Sequence, residues 1–244
     1  MKKLLLWVGV GVLTLVVVAL SGWYFFLKTD PEPRAAVIQT PLQTEAPTTA
    51  NATDAGTTSD PASAIAGTYT VKPGSSQNFV GYRVTEKLVA NVVESTATGR
   101  TDNVTGTLTI KGTRVSDVTV TADLRDLTSD QSFRDGRLHS SGIESDRFPQ
   151  AKFVLTEPIT LPKVPAAGET IKVDATGDFT LHGVTKQVTI PIEARWDGTD
   201  VQIVGNLPIV FGDYNITAPT APPVASVDDH GEMEFQLFFK ESGA

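Results

Sequence analysis

The chain has 244 residues, a formal net charge of -8 and no cysteine. The missing cysteine excludes disulfides, thiolate nucleophiles, iron–sulfur clusters and cysteine zinc sites. With 20 Lys+Arg against 28 Asp+Glu, the chain is a poor electrostatic match for nucleic-acid phosphates, so no nucleic-acid partner is expected.

Residues 4–27, LLLWVGVGVLTLVVVALSGWYFFL, carry no charge. As a helix this run is roughly 36 Å long, enough to span a hydrocarbon core with some tilt. Lys2 and Lys3 precede it, and Trp23, Tyr24 and Phe25 lie at its far end. Basic residues before and aromatics after predict an uncleaved signal anchor, with a cytoplasmic N-terminus and the rest of the chain outside the cell membrane. The competing reading is a cleaved signal peptide, because Ala19-Leu20-Ser21 has the small-x-small spacing of a cleavage site. Both readings export everything after Lys28.

Residues 28–64 are of a different kind. Of these 37 residues, 21 are Pro, Thr or Ala, and none is aromatic. Such a stretch buries too little apolar area to offset its chain entropy, so it reads as a disordered tether.

Residues 65–244 alternate apolar and polar positions. Val104, Gly106, Leu108 and Ile110 face one way, and Thr105, Thr107, Thr109 and Lys111 the other. Val118, Val120, Ala122 and Leu124 repeat the period of two, as do Val188, Ile190, Ile192 and Ala194. Val201, Ile203, Gly205, Leu207 and Ile209 form a further run, and Phe235, Leu237 and Phe239 the last. Turn signals fall at Lys111-Gly112-Thr113, His182-Gly183, Asp197-Gly198 and His230-Gly231. About eight such runs predict an all-β, antiparallel domain, closed as a barrel or folded as a sandwich so that no large apolar face is left bare. One segment departs from this period. Ser129 or Asp130 caps a predicted short helix over residues 131–139, placed at one barrel end and followed by a loop to Phe148-Pro149.

These stretches are familiar in combination. Residues 67–88 (GTYTVKPGSSQNFVGYRVTEKL), 127–155 (LTSDQSFRDGRLHSSGIESDRFPQAKFVL) and 175–194 (ATGDFTLHGVTKQVTIPIEA), with the C-terminal IVFGDYNI and HGEMEFQLFF, together resemble the YceI-like family. That family is a lipocalin-like group described as binding polyisoprenoid lipids. The most specific elements are Arg134-Asp135, Leu138, Phe148-Pro149 and Phe153, and the run from Gly177 through Phe179-Thr180-Leu181-His182-Gly183 to Lys186. The resemblance implies an extended antiparallel barrel of about eight strands that sequesters or transports a long-chain isoprenoid, a quinone or polyprenyl carrier. The anchor and tether depart from the family's usual secreted or periplasmic form and favour a membrane-held carrier.

A polyisoprenoid tail offers only hydrocarbon, so its site needs an apolar tunnel and few polar atoms. The inward-facing candidates are Val80, Tyr82, Val84, Leu108, Val120, Phe153, Leu155, Phe179, Leu181, Ile190, Ile192, Ile203, Leu207, Phe235, Leu237 and Phe239. The same residues could instead fill a solid core, which would leave a structural or stress-related envelope protein acting through protein partners. Phe133, Leu138 and Phe148 are candidates for the tunnel mouth, with packing of the short helix as the alternative. Arg134 is a candidate head-group contact, or else makes local structural hydrogen bonds together with Asp135. His182 reads as a turn residue with a local hydrogen bond, and nothing in the spacing brings His139, His182 and His230 together on a metal. Ser140 beside His139 lacks a nucleophile-elbow context, so no enzyme activity, metal or cofactor is expected beyond a bound isoprenoid lipid or quinone.

Overall fold

The computed structural model describes residues 31–35, 65–88, 93–219 and 224–242. The chain divides into two units, Met1–Glu32 and Pro33–Ala244. The expected membrane span (residues 4–27) and all of the expected tether except residues 31–35 lie outside the described residues. No helix among the described residues is long and apolar enough to cross a membrane.

The second unit is a closed, eight-position antiparallel barrel with one short helix. Its strands are β1 (Gly67–Val71), β2 (Phe79–Leu88), β3 (Val93–Thr101), β4 (Val104–Lys111), β5 (Arg114–Asp123), β6 (Thr128–Ser129), β7 (Gln150–Leu155), β8 (Ile159–Thr160), β9 (Thr170–Leu181), β10 (Val184–Trp196), β11 (Asp200–Val210), β12 (Val224–Val227) and β13 (His230–Glu241). Helix α1 (Ser132–Arg137) lies between β6 and β7. The ring runs β1-β4-β5-β7-β9-β10-β11-β13 and closes where β13 pairs back onto β1. In register, Val71 faces Phe239 and Tyr69 faces Glu241.

Several ring positions are built from broken strands. The last part of β13 pairs with β1, while Glu232–Gln236 pair with β2. On the far side of this strand pair, β1 holds β4 and β2 holds β3. The ring thus continues through β1 and β4, while β2 extends the sheet through β3 to β6. An irregularity between Thr107 and Thr109 of β4 meets Asp117 of β5, which has φ 55, and brings Val115 and Val118 to the same side.

The period-two pattern sets which side chains point inward. On β9 and β10 the outward positions pair across the strands: Thr176 with Thr189 at 3.0 Å, Thr180 with Thr185 at 2.8 Å, and Lys172 with Glu193 at 2.5 Å. The inward positions form two apolar clusters. One holds Tyr69, Leu108, Trp196, Leu237 and Phe239, and the other Leu124, Ile143, Phe179, Ile190, Leu207 and Tyr214. Met233 and Phe235 pack against both.

Three expectations need correction. The helix is shorter than residues 131–139: α1 ends at Arg137 and passes into a wider turn over Leu138–Gly142, closed by the Ile143 amide on the Leu138 carbonyl at 2.9 Å. Its N-cap is Gln131, which makes no side-chain cap bond, because Ser129 and Asp130 are committed elsewhere. His230-Gly231 is not a turn but the start of β13; no reversal occurs there, because β12 and β13 follow one another along β2 in the same direction, with Val227 opposite Glu86 and Glu232 opposite Arg83. Gly231 is required there because a Cβ would come within 2.7 Å of the Arg83 carbonyl. The other three turn signals hold, with positive φ at Gly112, at His182 and Gly183, and at Gly198.

The seam between β1 and β13 depends on Phe239, which is 1% exposed. Phe239→Ala is expected to cost about 3–5 kcal/mol of unfolding free energy, measured by urea denaturation.

Candidate functional site

The barrel interior contains two adjacent apolar chambers. The first has a volume of about 130 Å³ and an essentially hydrocarbon wall. The second has a volume of about 140 Å³ and lies toward α1. Val80, Ala151, Phe179 and Met233 belong to the walls of both and form the partition between them.

Small residues opposite large rings keep this space open. Gly99 faces Tyr82 across β2–β3, and Gly205 faces Phe235 across β11–β13. A Cβ at Gly99 would sit 2.5 Å from the Tyr82 ring, and one at Gly205 would sit 2.7 Å from the Phe235 ring. Gly177 receives the Phe153 ring in the same way, at 2.6 Å. Each ring therefore lies along the wall, over a glycine, instead of projecting across the lumen. Ala122, Ala151, Ala175 and Ala194 add further short inward positions.

Twelve of the candidates from the sequence line the first chamber: Val80, Leu108, Val120, Phe153, Leu155, Phe179, Ile190, Ile192, Ile203, Phe235, Leu237 and Phe239. Tyr82, Val84, Leu138, Leu181 and Arg134 line the second. Three candidates line neither. Leu207 is buried in the packed core beside the second chamber. Phe133 points away from the barrel, is 60% exposed and lies under the Arg137 guanidinium. Phe148 packs edge-on against His182, with ring centres 4.3 Å apart, and covers the β9–β10 turn.

The sequence reading missed Ala151 and Met233, since an alanine and an isolated methionine stand out against no pattern. It also passed over Ile171 and Val173, whose alternation with Ala175 was a usable signal. The most consequential omission is Glu86. It shares the inward phase of Val80, Tyr82 and Val84, but its charge disguises the position.

Glu86 is 4% exposed. Its carboxylate accepts a two-pronged bond from Arg134, Nε to Oε1 at 3.0 Å and Nη2 to Oε2 at 3.1 Å. The third guanidinium nitrogen, Nη1, reaches Asp130 at 2.6 Å and Ser129 at 3.3 Å. Burial opposes the charge of Arg134, but the Glu86 carboxylate more than offsets it, so its pKa is held above the ordinary arginine value. Asp135 completes the cluster by accepting from the Ser129 hydroxyl at 2.6 Å and the Ser129 amide at 2.9 Å. This network fastens α1 against the wall of the second chamber.

Tyr82 is left out of the network. Its hydroxyl is sealed from solvent and makes no hydrogen bond of normal geometry among the described residues, although the Ser129 hydroxyl lies near enough to lower its pKa against the larger effect of burial. The neighbouring Ser129 hydroxyl is saturated: it donates to Asp135 and accepts from the Gln131 amide and from Arg134. A buried hydroxyl without a partner costs about 1–3 kcal/mol. Burial also pushes the Tyr82 pKa well up.

The histidines take structural positions. His139 bonds Ser145 at 2.7 Å and the Leu127 carbonyl at 2.9 Å. His182, expected to bond locally, instead reaches the Tyr214 carbonyl and Glu144, both at 2.9 Å, and so ties the turn to two distant segments. Among the described residues, no group of three His, Cys, Asp or Glu is placed to hold a metal. On the outer wall, Glu234 lies between Arg83 at 3.3 Å and Arg100 at 2.9 Å. Arg100 also donates to the Pro33 carbonyl, and Arg34 pairs with Glu232.

With this geometry in hand, comparison with known proteins is informative. A YceI-like domain matches residues 69–239. A UPF0312 protein of Vibrio vulnificus is 33% identical over 129 residues, which are 50% of this chain and 61% of the relative; the chain thus spans less than two thirds of that protein. A UPF0312 protein of Enterobacter sp. is 30% identical over 177 residues, 68% of this chain and 84% of the relative. Among solved structures, a polyisoprenoid binding domain from Saccharophagus degradans, implicated in plant cell wall breakdown, superposes with a TM-score of 0.56. It is 17% identical, and the match covers 72% of this chain and all but 1% of that domain. At that identity the likeness concerns the fold alone.

Two outcomes follow from the polar cluster. Arg134→Ala strands the Glu86 carboxylate and is expected to cost about 2–3 kcal/mol, below a fully buried pair because Arg134 keeps some contact with water. The double change Glu86→Leu, Arg134→Leu should recover most of that loss in the same denaturation assay. An unfolded tyrosine ionises near pH 10, whereas folded Tyr82 holds its proton more tightly. Its contribution is therefore complete below about pH 10 and is lost as the pH rises above that value. Tyr82→Phe should show a smaller fall in stability between pH 9 and 11.

Proposed function

The chain belongs to the YceI-like domain family, and from that premise we propose that it binds a long-chain isoprenoid lipid, of quinone or polyprenyl type, inside its barrel. The observation that carries this reading is the pair of hydrocarbon-walled chambers sharing Val80, Ala151, Phe179 and Met233. Sequestration or transport is the proposed role, not catalysis: of the two glutamates in the second chamber's wall, Glu86 is engaged by Arg134 in fastening a helix and Glu232 pairs with Arg34. We further propose that residues 4–27 hold the protein at the cell membrane, with the barrel on the extracytoplasmic side.

Size constrains the mode of binding. An apolar cavity of about 150 Å³ holds one benzene, six carbons, so each chamber takes about one five-carbon isoprene unit. Each such unit contributes about 4 kcal/mol before ordering costs. A longer tail has to move the partition. Met233 suits that role, being unbranched and able to adopt several packings. The limited volume also supports a second reading, a barrel that serves as a structural envelope module and recruits protein partners.

One experiment separates the two. The full chain is purified from native membranes and extracted with organic solvent, and the extract is analysed by mass spectrometry. A prenyl lipid is expected in the extract, and Ala151→Phe, which fills the partition at an overpacking cost of about 1–3 kcal/mol, should reduce its yield. Extracts free of any apolar molecule, from wild type and variant alike, would favour the structural module.

A further inference from the structure

We propose that the outer wall of the barrel is a docking surface for the chain's own tether, with Pro33 and Arg34 as the docked residues. The barrel is then strapped to the beginning of residues 28–64 and does not hang from their end.

A Pro-, Thr- and Ala-rich stretch without aromatic residues has little to bury and is expected to stay clear of the barrel. Pro33–Ala35 does otherwise. The compact unit that holds the barrel begins at Pro33, well ahead of β1. The wall it meets is a row of outward positions: Arg100 stands opposite Gly81, Gly81 opposite Glu234, and Glu234 opposite Asn206. Outward positions elsewhere on the barrel, such as Thr105, Thr185 and Gln187, are exposed. Here Glu234 is 2% exposed and Val204 5%. Both line, together with Arg34 and Ala35, a groove of about 570 Å³ on the outer face of the barrel.

The contacts match in charge. Arg34 pairs with Glu232, while Arg83 and Arg100 serve Glu234. The bond to Glu232 and the nearby Glu234 charge together hold the Arg34 pKa above the ordinary arginine value. Arg100 also donates to the Pro33 carbonyl. Its guanidinium is set in place beforehand, 3.8 Å over the Phe79 ring and bonded to Glu234 at 2.9 Å. A Cβ at Gly81 would lie 2.8 Å from the Arg100 side chain, so the glycine clears that side chain's path across β2. An exposed ion pair contributes little by itself. The segment is joined to the barrel by its own chain, however, so docking is intramolecular and modest contacts suffice. Docking at Pro33 leaves only residues 28–32 between the wall and the apolar run of residues 4–27, a stalk of at most about 18 Å when extended. That consequence rests on the membrane-anchor reading, whereas the docking does not. Since Arg83 and Glu232 also line the second chamber, the strap bears on the wall of that chamber.

The test is limited trypsin digestion of the full-length protein in a mild detergent. The cut after Arg34 is followed by mass spectrometry and compared with the same bond in a synthetic peptide of residues 28–40. The protein should be cut there about tenfold more slowly than the peptide, because cleavage has to wait for the segment to undock. Glu232→Gln should bring the rate to within about threefold of the peptide, since it removes the partner of Arg34. The cut after Lys28 should be equally fast in wild type and variant, and sites within the barrel should stay uncut, so that the change reports undocking and not unfolding. A wild-type rate equal to that of the peptide, or protection undiminished in Glu232→Gln, would overturn the proposal. Either result would leave the isoprenoid reading untouched.

Discussion

A carboxylate that points into the hydrocarbon end of a barrel must be neutralised where it stands, because burying a lone charge costs more than a domain of this size can absorb. Glu86 sets that requirement, and Arg134 meets it with two nearly equal bonds of 3.0 and 3.1 Å. Since Arg134 is carried by α1, the ion pair also decides where the helix lies. The position of the helix in turn defines the end wall of the second chamber, with Leu138 and Ile143 following in its wake. Asp130, Asp135 and Ser129 belong to the same device: Asp130 and Ser129 bind the cation's remaining nitrogen, and Asp135 holds Ser129 in the turn before the helix. The pair therefore links one inward position on β2 to the closure of the whole barrel end.

The rest of the lumen is governed by shape. An eight-position ring is just wide enough for its own side chains to fill it. Space survives here because tyrosine and phenylalanine rings lie flat over Gly99, Gly177 and Gly205, and because alanines occupy neighbouring inward positions. The two chambers that result are each about one ring or one isoprene unit in size, and the residues between them include a methionine and a phenylalanine. A lumen with this geometry grips a short apolar segment tightly and admits a long one only by rearranging its partition.

Much of this was legible in the residues. Alternation in Val104–Lys111 or Val184–Trp196 reports directly on which side chains face inward, because the strand period is two and one face is buried. The inward phase of Phe235, Leu237 and Phe239 was readable for the same reason. What escaped was whatever violated the local rule. Glu86 occupies an inward position with a charged side chain, and only its tertiary partner explains it. His182 sits in a two-residue turn yet bonds residues 32 and 38 positions away. His230-Gly231 looks like a turn but lies in a strand, where the glycine answers to the neighbouring Arg83 carbonyl and not to a reversal of the chain. Phe133 reads as a candidate for the tunnel mouth, but α1 is a single short segment and turns that ring to solvent. Glycines under aromatic rings carry no local signature at all, since the need for them arises across strands.

The measurement that bears most directly on the central claim is a crystal structure of the protein loaded with a long-chain prenyl quinone. Continuous ligand density is expected through both chambers, passing a displaced Met233, with the Glu86–Arg134 pair intact. Density confined to the outer surface, with both chambers unchanged from the empty protein, would contradict the claim that this barrel is a container.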